Sequence, residues 1–361
     1  MFSYGKIEKM KIAIVAGGTG GHIYPAITLA EELIVKGHDI TFIGSNDRME
    51  KDVIPSRGYK YIGLNVYTTR GSIFQKVKSL LSIFSAYYKC LKILDGFDMV
   101  IGFGNYISIP VVLAGKRKGL KTVIHEQNSL VGKANKYLDK KVDLVIGSYQ
   151  ENLEQFNNPN TKILGNPQSS KALNIKKDDS VIKNLGLDPN KKVVVIFMGS
   201  LGSESVERKL IEMFKTLDGT YQVIYATGKS HYDEVIKNCQ ESKDLKIFDQ
   251  IDGINVMANS DLLVSRAGAT TLCEICALGM PAILIPSPYV PNNHQFKNAK
   301  SLTDKQAAEM IEEKELTPEK LDKQIKELLF DDERLKTMSE NAHKLNNDLV
   351  LQDIIKMVEE L

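Results

Sequence analysis

Four cysteines in 361 residues (Cys90, Cys239, Cys273 and Cys276) are too few and too scattered for a disulfide framework. Charge of one sign is also lacking. The net charge is +2, which speaks against a general nucleic-acid binder and leaves only local basic patches. Long apolar runs are missing as well. Stretches such as Val193 to Met198 fall far short of the roughly 20 residues a bilayer-spanning helix needs. The N-terminal MFSYGKIEKMKIAIVAGG has a short apolar stretch ending in glycines and no signal-peptide cleavage pattern, so a soluble cytoplasmic protein is expected. What remains is an ordinary globular balance in a chain long enough for two domains.

Short apolar runs alternate with helix-length segments. Strands are expected at Lys11 to Val15, Asp39 to Ile43, Met99 to Phe103, Thr122 to His125 and Leu144 to Ile146, with a helix at Pro25 to Lys36. This spacing implies parallel pairing in a doubly wound sheet. The pattern restarts at KKVVVIFMGSLGSESVE (191–207) and continues through YQVIYATG, LKIFD, DLLVS and PAILIP. The expectation is an α/β protein of two Rossmann-like domains facing a central cleft, with ligands at the carboxyl ends of strands. Domain limits are set at 1–165 and 166–335, with a C-terminal helix, 336–361, that can pack back on the first domain.

AGGTGGHIYPA (16–26) follows the first strand. It does not fit GxGxxG: starting at Gly18, Ile23 stands where the third glycine belongs. The acidic residue expected at the end of the second strand is also missing, Asp47 lying beyond the glycine in FIGSND. The alternatives are a tight strand-to-helix turn without ligand, or close backbone approach to a substrate with helix N-terminal amides facing negative charge. His22, in the first helical turn, is a candidate general base; a buried structural histidine is the bland reading. MGSLGS (198–203) is a second small-residue turn, of a kind that suits a diphosphate.

DLLVSRAGATTLCEICALGMPAILIPSPYVPNNHQFKNA (261–299) is the most informative stretch. A strand runs into Arg266, a small and hydroxyl-bearing turn follows, and a helix carries Glu274. A second strand delivers Asn292, Asn293, His294 and Gln295 on a loop. A carboxylate such as Glu274 can hold two ribose hydroxyls, and Gln295 can donate and accept toward a sugar; the bland reading is a helix N-cap beside a polar loop. Cys273 and Cys276 form a CxxC with nothing placed to complete a zinc site, so they read as helix-packing residues and no metal is expected. In residues 72–92, Phe74, Val77, Leu80, Leu81, Phe84 and Tyr88 fall at helical spacing among Lys76, Lys78, Lys89 and Lys92. Such a helix can lie on an anionic membrane surface, or it can be an ordinary core-facing helix with a solvated lysine face. GKRKGLK (115–121) adds a basic cluster.

GGTGGHIYPA, IGFGNYISIP, HEQNSLVGKANK, GNP, MGSLGS and the 261–299 stretch, in this order, resemble the MurG family of glycosyltransferases along essentially the whole chain. The resemblance implies the two-domain GT-B fold and an inverting transfer of N-acetylglucosamine from UDP-N-acetylglucosamine to undecaprenyl-linked muramyl pentapeptide, without an obligatory cofactor. It implies work at the cytoplasmic face of the membrane, on an anionic surface, with no nucleic acid as partner. Residue by residue, it implies that Thr19, Gly20 and Gly21 approach the sugar and diphosphate, that His22 is the base and that Glu126 is the alternative base. Asn128 and Gln295 contact the donor sugar, Ser200 the diphosphate, and Gln250 the uracil. Ala269, Thr270, Thr271 and Glu274 line the nucleotide site, while Tyr106 and Asn135 lie on the acceptor side. Three positions depart from the family pattern: Asn105 stands in a usual glycine pair, Gln168 and Ser169 follow GNP where an arginine is common, and Leu201 replaces a glutamine. Rival readings are another UDP-sugar glycolipid transferase or epimerase of the same fold, an NAD-dependent oxidoreductase, and a non-catalytic UDP-sugar-binding protein.

Overall fold

The computed structural model describes residues 8–67, 73–173, 175–198, 203–290 and 293–361, with the backbone alone at 73–76. The chain divides into two compact units, Met1–Gln168 with Leu349–Leu361, and Ser169–Asp348.

The first unit is built on β1 (Lys11–Val15), α1 (Gly20–Val35), β2 (Asp39–Ser45), α2 (Glu50–Val53), β3 (Tyr61–Leu64), α3 (Ile73–Ile93), β4 (Met99–Gly102), α4 (Asn105–Arg117), β5 (Lys121–Glu126), α5 (Lys133–Leu138), β6 (Leu144–Gly147) and β7 (Thr161–Ile163). Its seven strands are parallel in the order β3-β2-β1-β4-β5-β6-β7. Both faces are covered, which explains unbroken apolar runs in place of alternation. Ile12 and Ile14 face a core shared with Ile23 and Ile27 of α1, while Ala13 and Val15 face Ile107 and Val111 of α4. Strand order reverses between β1 and β4, so the turns after these two strands flank the crevice where such sheets bind ligands.

In the second unit β8 (Val193–Phe197), β9 (Gln222–Ala226), β10 (Leu245–Phe248), β11 (Leu262–Ser265), β12 (Ala282–Leu284) and β13 (Glu309–Met310) form a parallel sheet in the order β10-β9-β8-β11-β12-β13. Its reversal lies between β8 and β11.

Three local expectations need correction. The first helix begins at Gly20, directly beyond the turn and five residues before Pro25, which lies inside the helix and gives up the bond to Gly21 O. His294 and Gln295 open a helix, His294–Thr303, instead of lying on a loop; Asn293 caps it with φ 52°, a left-handed conformation that asparagine adopts more readily than most residues. The tail is two helices. Asp332–Lys344 lies in the second unit, whereas Val350–Glu359 buries Val350, Leu351, Ile354, Ile355 and Val358 in the core of the first.

Candidate functional site

In the first unit the turn after β1 brings Thr19 and His22 to the crevice. Thr19 is the N-cap of α1, yet its hydroxyl does not cap the helix; it pairs with His22 Nδ1 at 3.1 Å, which orients the imidazole. The turn after β4 comes up against that ring: a Cβ on Gly104 would lie 3.3 Å from His22 Cδ2 and 3.5 Å from Asn135 Nδ2. His22, Gly104 and Asn135 therefore converge, and Tyr106 stands exposed in the first turn of α4. Gly20 and Gly21 form the first turn of α1, whose N–H groups have no partner within the helix.

Glu126 is the last residue of β5, and it is buried. Its Oε1 accepts from the Asn128 backbone N–H (3.1 Å) and Nδ2 (3.2 Å), and its Oε2 from Gly132 N–H and Asn135 Nδ2, both at 2.9 Å. Burial raises its pKa, and these bonds oppose that rise. The carboxylate thus folds the 126–135 loop around itself and fixes Asn128 and Asn135. Asn135 Oδ1 is buried with no hydrogen-bond partner among the described residues. His125, beside it, is stacked on Phe103; its Nε2 lies 2.9 Å from Gly165 O and its Nδ1 3.0 Å from Gln127 Nε2. Burial pushes its pKa down to about 4, so it is a neutral core histidine.

In the second unit the helix Ala269–Leu278 begins directly after the β11 turn, with Gly268 as its N-cap. Ala269, Thr270, Thr271 and Glu274 share its first two turns, and Thr270 Oγ1 is buried with no partner among the described residues. Gln295 Oε1 accepts from Ser287 N–H at 2.8 Å, which ties its side chain to the segment after β12. Gln250 is exposed in the segment beyond β10, and its N–H donates to its neighbour Asp249. Ser200 and Leu201 lie outside the described residues. Arg266 is buried in an ion pair with Glu313 at 2.7 Å and also donates to Ile285 O and Ser203 Oγ, so it holds the end of β11 to the start of the helix Glu204–Phe214.

Residues 12–146 match the glycosyltransferase family 28 N-terminal domain, and residues 193–355 the glycosyltransferase family 28 C-terminal domain. A UDP-N-acetylglucosamine--N-acetylmuramyl-(pentapeptide) pyrophosphoryl-undecaprenol N-acetylglucosamine transferase of Pediococcus pentosaceus is 36% identical over 97% of this chain and 99% of its own. The transferase of the same name from Bacillus cytotoxicus is 38% identical over 93% of this chain and 95% of its own. The chain belongs to the MurG family of glycosyltransferases. The crystal structure of Acinetobacter baumannii MurG shares its fold, with a TM-score of 0.78 at 23% identity over 98% of this chain and 100% of that one.

Two departures from the MurG pattern now have local explanations. Asn105 sits at φ 63°, in the left-handed region that glycine favours and that asparagine tolerates best among other residues. Gln168 is buried: its Oε1 accepts from Thr28 Oγ1 at 2.8 Å, and its N–H donates to Asn166 Oδ1. It is therefore a packing residue of the first unit.

Among the described residues, no helix is long and apolar enough to cross a membrane. On α3 the apolar stripe is turned outward. Val77, Leu80, Leu81, Phe84 and Tyr88 are 49% to 65% exposed, while Ser82, Ala86 and Cys90 are buried. Lys78, Lys89 and Lys92 are exposed around the stripe; the side chains of Phe74 and Lys76 lie outside the described residues. The sequence reading missed Glu50. It is fully buried at the start of α2 and accepts from Gly18 N–H at 3.0 Å and Ser45 N–H at 3.1 Å, and from Ser45 Oγ.

Proposed function

We propose that this chain transfers N-acetylglucosamine from UDP-N-acetylglucosamine to the muramyl sugar of undecaprenyl-diphosphate-linked muramyl pentapeptide, with inversion at the anomeric carbon and His22 as the base. The observation that carries the reaction is the end-to-end identity of 36% with a transferase of that name. The choice of base rests on geometry. Both Glu126 oxygens are engaged by four donors in a buried loop, whereas His22 is half-buried at the mouth of the β1–β4 crevice. In the tautomer whose Nδ1–H donates to Thr19 Oγ1, Nε2 is the basic nitrogen that takes the proton of the attacking acceptor hydroxyl.

Thr19, Gly20 and Gly21 approach the donor sugar and diphosphate, Tyr106 and Asn135 form the acceptor side, and Asn128 reaches the transferred sugar. The donor side comprises Ala269, Thr270, Thr271 and Glu274 at one helix start, with Gln295, Gln250 and Ser200. Glu274 holds the ribose, and the unpartnered Thr270 hydroxyl supports a polar contact there. Negative charge growing on the leaving diphosphate is stabilised by N-terminal amides of the helix Ala269–Leu278, so the reading includes no obligatory metal. The outward stripe of α3, ringed by lysines, supports docking on the anionic cytoplasmic face of the membrane, where the lipid-linked acceptor is found.

His22→Ala is expected to lower kcat by about 10²–10⁴ while UDP binding, measured by calorimetry, stays within twofold. Glu126→Gln is expected to lower stability through loss of the loop's organiser yet keep the acid limb of the pH–rate profile. A His22→Ala enzyme with near-normal kcat would remove His22 from the mechanism.

A further inference from the structure

We infer that Glu50 is a positioning residue for the catalytic turn: it supplies a built-in anion that pins the Gly17–Gly18 peptide and, through it, sets Thr19 and His22. The inference rests on the reading of His22 as the base. The carbonyl of Gly17 and the N–H of Gly18 belong to one peptide unit. Asn105 Nδ2 donates to that carbonyl at 2.9 Å, and Glu50 Oε2 accepts from that N–H at 3.0 Å. The unit is thus held from both ends, by side chains at the starts of α4 and α2, and its rotation is blocked.

The fit leaves no slack. A Cβ on Gly17 would lie 2.5 Å from Glu50 Oε1, and one on Gly18, whose φ is 95°, would lie 2.0 Å from Asn105 Nδ2. The glycines of this turn make room for the protein's own carboxylate and carboxamide. In a dinucleotide fold the turn after the first strand offers its N–H groups to a pyrophosphate, and an acidic residue after the second strand holds the ribose. Here no acidic residue ends the second strand, and Glu50, five residues beyond it at the start of α2, takes a turn N–H itself. The Gly18 N–H is thereby withdrawn from any phosphate, while those of Gly20 and Gly21 stay with the helix N-terminus.

Glu50 is fixed in turn. Its Oε1 accepts from both the backbone N–H and the hydroxyl of Ser45, and Tyr61 closes the shell by donating to Ser45 O at 2.6 Å. Thr19 directly follows the pinned peptide and His22 comes three residues after Thr19, so a rotation there moves the imidazole by about an ångström or more, and about that displacement can cost 10²-fold in rate.

The test is Glu50→Gln, which keeps the shape but places an NH₂ group against N–H and O–H donors. The expected result is a kcat at least tenfold lower, with KM for UDP-N-acetylglucosamine within twofold of wild type, measured on protein whose circular dichroism shows it folded. The double variant His22→Ala/Glu50→Gln should be no slower than His22→Ala alone, because the second change acts only through the first. If Glu50→Gln does not fold, Glu50→Asp, which keeps the charge but cannot span both partners, carries the same expectation. An inactive His22→Ala beside a fully active Glu50 variant overturns the inference and leaves His22 as base. Fully additive losses overturn it too, since a purely structural role adds. A fully active His22→Ala instead overturns the reading on which the inference stands.

Discussion

Asn105 and His125 show how single residues near the crevice are constrained. At φ 63°, Asn105 already bears a left-handed conformation that costs a β-branched residue about 1–2 kcal/mol more. Asn105→Gly keeps the φ but loses the bond to Gly17 O and should cost about 1–2 kcal/mol, while Asn105→Val loses both and should cost about 2–4 kcal/mol; urea denaturation separates the two. His125 titrates near pH 6.5 in the unfolded chain and near 4 when buried. Between these values the unfolded chain takes up a proton that the folded chain refuses. Its contribution is thus fully present above about pH 6.5 and falls as the pH drops to 4, by up to about 3 kcal/mol. Unfolding free energies at pH 7 and 4.5 should diverge accordingly, and the difference should shrink in His125→Gln. His22 stood out as a candidate in the sequence because it directly follows the four glycines of GGTGG at the end of a strand. Glu50 was not, because its partners Gly18 and Ser45 meet only when the segment after β2 folds back, and an acidic residue at the start of a short helix reads as a solvated one.

Among the elements, α3 and the C-terminal helix carry similar amphipathic patterns and opposite fates. The helix Val350–Glu359 buries its apolar face against the first unit and is tied there by His38, which accepts from Met10 N–H at 3.1 Å and lies 3.2 Å from Glu359 Oε1. On α3 Ser82, Ala86 and Cys90, with Ile83, Tyr87 and Leu91 beside them, face the core, while Val77, Leu80, Leu81, Phe84 and Tyr88 face outward. Periodicity marks a face without saying what covers it, which is why the sequence left both readings of α3 standing. His38→Ala should cost about 1–3 kcal/mol and expose the tail to proteolysis before the rest of the chain. A Leu81→Asp/Phe84→Asp pair should weaken binding to vesicles containing anionic lipid by at least about tenfold, leaving the urea midpoint nearly unchanged. An equal loss of stability would show that this stripe packs on protein.

On the scale of the whole molecule, two parallel sheets each reverse their strand order, between β1 and β4 in the first unit and between β8 and β11 in the second. Both sheets were legible because buried parallel strands are unbroken apolar runs separated by helix-length segments. Short edge strands such as Tyr61–Leu64, Thr161–Ile163 and Glu309–Met310 were not, since two to four residues at a sheet edge have no pattern of their own. The stretch around Glu274 proposed for the donor side is contiguous in the sequence, whereas His22, Gly104 and Asn135 come together only from the segments after β1, β4 and β5. The most direct measurement of the proposed reaction offers radiolabelled UDP-N-acetylglucosamine to the purified full chain with two acceptors in parallel, a short-chain lipid-linked muramyl pentapeptide and diacylglycerol. Label is expected in the muramyl lipid alone. Label in diacylglycerol, or tight UDP binding with no transfer to either lipid, would contradict the proposed reaction.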